Sequence, residues 1–130
     1  MRTLFYLFIS LLIGVSSCSK NNLDDQRAQD ELELSNQLKE IKDLANSVTC
    51  TDSEDWEFIA YGSKACGGPQ GYIAYSMQID VDKFKQMVSD YTQAEKDFNI
   101  NYQITSDCKA EISPNGVVCK DGKPVLIYNN

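Results

Sequence analysis

The strongest constraint on the fold is the placement of Cys50, Cys66, Cys108 and Cys119 in a chain of 130 residues that contains no histidine. The chain starts with Met1 and Arg2, followed by an almost unbroken apolar run from Leu4 to Val15. That run is too short for a membrane span, which needs about 20 residues. Its layout is that of a secretory signal peptide: a basic start, an apolar centre and small residues before the cut. Export places the four cysteines in an oxidising compartment, where an even number predicts two disulfides. Pairing nearest neighbours would close separations of 16 residues (Cys50 to Cys66) and 11 residues (Cys108 to Cys119), each contributing about 3 kcal/mol. The crossed and nested pairings remain open. A zinc site is disfavoured, because metal knuckles place two ligands within a few residues of each other. A catalytic thiol is disfavoured too, because no histidine is present to activate it.

After the apolar centre come Val15, Ser16, Ser17 and Cys18. An aliphatic residue and two small ones before a cysteine resemble the lipobox of bacterial lipoproteins. The resemblance implies a diacylglyceryl group on the Cys18 thiol and cleavage that removes residues 1–17. Acyl chains, worth about 0.8 kcal/mol per buried CH2, would then hold the protein on a membrane without a spanning helix. Ser19 lacks the aspartate that retains some lipoproteins in the inner membrane of enteric bacteria. The resemblance therefore implies a cell-envelope protein of the outer membrane, on its periplasmic face or at the cell surface. Residues 18–28 read as a lipidated N-terminus with a flexible polar tether, loosely similar to the acidic tethers of Bacteroidota surface lipoproteins, and residues 29–130 as one domain. Cleavage removes a single basic residue, Arg2, so 11 basic residues face 19 acidic ones and the net charge moves from −7 to −8. Anionic headgroups repel such a body, which leaves the membrane contact to the lipid. A nucleic-acid partner is excluded on the same ground.

The domain predicts a small α+β fold with two helices, an antiparallel sheet of about four strands and two disulfides. From Gln26 to about Val48 there is no glycine or proline, and Leu34, Leu38, Ile41, Ala45 and Val48 share one helical face. Asp55 to Tyr61 and Tyr72 to Met77 read as paired strands around a glycine-rich loop. Asp80 is a helix N-cap, with Ile79 placed to staple onto Phe84. Phe84, Val88, Tyr91 and Phe98 form the inner face of that helix, which ends near Asn99; Ile100, Tyr102 and Ile104 read as a short extended stretch or continued helix. Asp121 and Gly122 between two apolar runs predict a hairpin, with Pro124 at the start of its last strand.

The segment Gly62, Ser63, Lys64, Ala65, Cys66, Gly67, Gly68, Pro69 stands out, flanked by Trp56 and Tyr75. Two adjacent glycines and a proline beside a bridged cysteine make a rigid loop, so Ser63, Lys64, Gly67, Gly68 and Pro69 are the candidate recognition residues. Together with Cys50, Ser106, Asp107, Cys108 and the Cys119 to Pro124 hairpin, this arrangement resembles small, functionally uncharacterised lipoproteins of Bacteroidota, and implies a family without a mechanism. No phosphate-loop run follows the glycines. Tyr61, Tyr72, Tyr75 and Trp56 suit either a sugar or peptide platform or an ordinary small core. Asp52, Glu54, Asp55 and Glu57 read as solvated turn carboxylates, without calcium-loop spacing. The expected function is a non-catalytic binding module for a protein or glycan ligand, with no cofactor and no metal. The alternative is a disulfide-stabilised protease inhibitor that presents Lys64, its loop pre-ordered so that little entropy is lost on binding.

Overall fold

A computed structural model describes residues 20–129 of the chain, with side chains from residue 22. The leader expected over residues 1–17, the Val15-Ser16-Ser17-Cys18 motif and the acylated Cys18 lie outside the described residues. The fold is α+β: two helices and four strands, tied by two disulfides. Helix α1 (Lys20–Ala45) takes in residues 20–28 of the segment expected as a flexible tether, and these are helical. Backbone propensity explains this, because nothing in the segment breaks a helix and side-chain pairs four residues apart support it. Gln26 donates to Asp30 at 2.8 Å and Arg27 to Glu31 at 3.0 Å. From Arg27 onward α1 is also fastened to the rest of the molecule. The Arg27 guanidinium stands 6.0 Å from the Tyr102 ring centre, and the Tyr102 hydroxyl donates to Asp30 at 2.6 Å.

Strands β1 (Trp56–Tyr61) and β2 (Gly71–Ser76) pair antiparallel, with Ile59 opposite Ile73 and Glu57 opposite Tyr75. Helix α2 (Val81–Asn101) starts as its cap requires, Asp80 accepting from the Lys83 N–H at 3.0 Å. It continues through Ile100, so the extended alternative for that residue does not form, and Tyr102 caps its C-terminus. The core joins Ile41 and Ala45 of α1, Tyr75 of β2, and Phe84, Val88 and Tyr91 of α2, with Ile59, Tyr61, Ile73 and Ile79 packed around it. Because side chains alternate across a strand, these residues fill the helix-facing side of the β1–β2 hairpin. Trp56, Phe58 and Tyr72 lie on its other side, where the Phe58 and Tyr72 rings meet edge to face at 6.1 Å.

Strands β3 (Gly116–Lys120) and β4 (Lys123–Ile127) form the second hairpin around Asp121 and Gly122, both at positive φ as an Asp-Gly turn demands. The four expected strands thus form two two-stranded sheets, not one ladder. The second hairpin packs on the first, β3 touching β1 and β4 touching β2. Its edges are blocked at one position each: the outward Cys119 N–H donates to the Ser53 hydroxyl at 3.0 Å, and Pro124 opposite has no N–H.

The disulfides are nested. Cys50 bonds Cys119 across 69 residues, and Cys66 bonds Cys108 across 42, so nearest-neighbour pairing is not what forms. Tertiary packing decides this: the Gly122 carbonyl accepts from the Cys50 N–H at 2.9 Å, which brings the end of the chain to the end of α1. With all four thiols bridged, none is left for a zinc site.

Candidate functional site

The glycine-rich loop between β1 and β2 is fixed to α2 by a polar stripe. The Gly62 N–H donates to Thr92 Oγ1 at 3.0 Å, the Ser63 N–H to Glu95 Oε2 at 2.6 Å, and Asn99 Nδ2 to the Ser63 carbonyl at 2.7 Å. Thr92, Glu95 and Asn99 recur at steps of three and four, so they line one side of the helix next to Phe84, Val88 and Tyr91. Glu95 also accepts from the Tyr91 hydroxyl at 3.1 Å. Burial, then the Glu95 charge and this bond, push the Tyr91 phenol well above its usual range. These three polar residues were not singled out from the sequence. Their signal was available in the helical spacing that continues the apolar stripe with hydrogen-bonding side chains.

Within the loop, the Lys64 N–H donates to the Gly68 carbonyl and the Gly67 N–H to the Lys64 carbonyl, each at 2.9 Å. This tight curl places Gly67 and Gly68 at φ of 93° and 83°. Both are exposed, whereas Pro69 is half-buried. Cys66 ties the curl to Cys108, so the loop and the irregular segment after α2 form one unit.

Lys64 lies inside that unit. Its side chain is only 9% exposed, and Nζ donates to the Lys109 carbonyl at 2.6 Å and to Glu111 Oε1 at 2.7 Å, with Asp107 at 3.7 Å. The Glu111 hydrogen bond, reinforced by the charges of Glu111 and Asp107, holds its ammonium above the ordinary lysine range despite burial. The lysine expected at the tip of an inhibitory loop is thus turned inward, as an internal ion pair that closes the loop on residues 107–111. The inhibitor alternative requires an exposed lysine at this position, and the loop does not offer one.

What the loop does present is an open cleft of about 340 Å³ between Ser63, Lys64, Ala65 and Gly67 on one side and Lys96, Asn99, Ile100, Gln103 and Ile104 on the other. Ile100, 65% exposed, gives this cleft an apolar rim beside the Lys96 ammonium. A second, smaller groove of about 190 Å³ runs between the helices, with Leu34, Ala94 and Phe98 below Asp30, Glu33 and Asp97. The aromatic residues serve packing: Trp56 and Tyr75 are buried, and Tyr61 and Tyr72 are half-buried in ring contacts. Three of the four turn carboxylates have structural partners. Asp52 caps the short 3-10 turn Ser53–Asp55, Asp55 accepts from Gln78, and Glu57 accepts from the Tyr75 hydroxyl. The chain matches no protein-family model, no curated protein sequence and no solved structure.

Proposed function

We propose that this chain is a lipid-anchored cell-envelope protein, held on a membrane through Cys18 and acting as a non-catalytic binding module. The observation that supports export is the pair of nested disulfides, which persist where thiols are oxidised. The anchor rests on the apolar leader that ends in Val15, Ser16, Ser17 and Cys18, and the outer membrane on Ser19 in place of an aspartate. Binding is favoured over catalysis by how the charged side chains near the loop are used. Lys64, Glu95 and Glu111 hold parts of the fold together, and the loop they support is a rigid surface beside an open cleft. A preformed site of this kind suits a protein or glycan ligand, because little ordering remains to be done on binding.

Two measurements test the reading. Cys18→Ser should abolish incorporation of labelled fatty acid and release the protein from the membrane fraction; a processed, membrane-retained variant overturns the anchor. Ile100→Glu places a charge on the cleft rim without touching the loop's bonds. It should abolish crosslinking to the partner captured by the parent chain in intact cells, and undiminished crosslinking moves the site elsewhere.

A further inference from the structure

The two disulfides differ in access. Cys50 is buried at 3% exposure and Cys119 is half-buried, whereas Cys66 and Cys108 are both exposed. We infer that Cys66–Cys108 is a thiol–disulfide exchange site, open to small dithiols or to a dithiol protein of the envelope, while Cys50–Cys119 is structural. Exposed bridges are the ones that exchange, because an attacking thiolate must reach one sulfur along the bond axis.

The surroundings also select which sulfur is attacked. The Ser106 hydroxyl donates to Cys66 Sγ at 3.4 Å while accepting from the Cys108 N–H at 3.3 Å. A donor aimed at Cys66 stabilises negative charge on that sulfur, and a better-stabilised thiolate leaves faster. The incoming thiolate therefore attacks Cys108 Sγ and forms a mixed disulfide there. The Cys66–Cys108 bond breaks, and its electron pair stays on Cys66 Sγ, which keeps the Ser106 hydrogen bond. The second thiol of the reagent then attacks its own sulfur in the mixed disulfide and releases Cys108. The reagent leaves as a disulfide, two electrons poorer, and its two protons are taken up by Cys66 and Cys108.

Exchange at this position controls the cleft. Among the described residues, the irregular segment 103–115 is held to the loop by the bridge and by the contacts of Lys64 with Lys109 and Glu111. Opening the bridge leaves the Lys64 contacts and the Ser106–Cys66 hydrogen bond as the polar links between the loop and that segment, next to Gln103 and Ile104 of the cleft wall.

The test uses the purified full chain in detergent, treated with graded dithiothreitol, quenched with iodoacetamide and mapped by peptide, so that any label at Cys18 is read separately. Cys66 and Cys108 should be labelled at least ten times faster than Cys50 and Cys119; equal rates, or earlier opening of Cys50–Cys119, overturn the assignment. With glutathione as a monothiol, the trapped adduct should sit on Cys108 with Cys66 free, and an adduct mainly on Cys66 refutes the direction of attack. Ser106→Ala should slow opening of Cys66–Cys108 several-fold, Ser106→Thr should restore it, and the rate at Cys50–Cys119 should not change in either. An unchanged rate in Ser106→Ala removes the role given to the hydroxyl.

Discussion

Gly62 and Gly67 are both left-handed, yet they answer to different forces. At Gly67 a Cβ would meet nothing within 4 Å, so only the backbone penalty applies. At Gly62 it would stand 2.5 Å from Glu95 Oε2 and 2.8 Å from Gln70 Cβ, inside the bonds that fasten the loop to α2. Gly67→Ala should therefore cost about 1 kcal/mol, and Gly62→Ala clearly more, about 3 kcal/mol, read from urea midpoints. Equal losses would show that the Glu95 contact is not rigid. The tyrosines carry a second consequence at this scale. Burial first, then Glu57, pushes the Tyr75 phenol up to about 12, and burial likewise raises Tyr61 and Tyr91. Between pH 10 and 12 the unfolded chain releases phenolic protons that the folded one keeps. The folded state thus binds more protons there, and stability falls as pH rises through this window. Urea midpoints from pH 9 to 12 check the slope, and Tyr75→Phe should flatten it. Of the residues involved, the loop glycines were legible because two of them adjoin a proline and a cysteine. The inward turn of Lys64 was not, because its partners Lys109 and Glu111 lie 45 and 47 residues away.

At the scale of elements, local chemistry was legible where it is self-contained. The start of α2 follows from Asp80 and Ile79, and the last turn from Asp121 and Gly122, since each device is complete within a few residues. Asp80→Ala should lower stability by about 1 kcal/mol. Thermal melting checks this, and Asp80→Asn, which keeps the accepting oxygen, should recover most of it. The helical start of α1 was harder to read, because a polar, charged segment has the composition of a tether and of an exposed helix alike. What separates the two is the pairing of Arg27 with Glu31 and Gln26 with Asp30, and the Tyr102 hydroxyl arriving from the far end of α2. The division of four strands into two hairpins was not legible either. Alternation in β1 looks the same whether its second face meets solvent, a helix or another hairpin, and here both faces are covered.

The whole molecule is a stack of helices, first hairpin and second hairpin, and its layers are joined unequally. Ile41, Phe84, Val88 and Tyr75 bind the helices to the first hairpin through a continuous apolar core. The second hairpin has a thinner attachment: Val118, Val125 and Ile127 face outward, each more than a third exposed. It is held by the Ser53 and Cys50 hydrogen bonds and by the Cys50–Cys119 bridge. That bridge closes 69 residues, and a loop of this length contributes about 4 kcal/mol. This is a large part of the roughly 5 to 15 kcal/mol typical of a domain. Trp56, the one tryptophan, is buried on the side of the first hairpin where the second one packs, so its emission reports their contact. Replacing Cys50 and Cys119 together by alanine should let the second hairpin leave at lower urea than the helical core. Trp56 emission would then shift to the red while the helical circular dichroism persists. Coincident transitions would mean that the hairpin is part of one cooperative unit with the helices, held by packing rather than by its bridge. Unequal attachment would also explain why the buried bridge is at the second hairpin and the exposed one at the cleft: the first supplies stability where the core is thin, and the second joins two loops that the core does not reach.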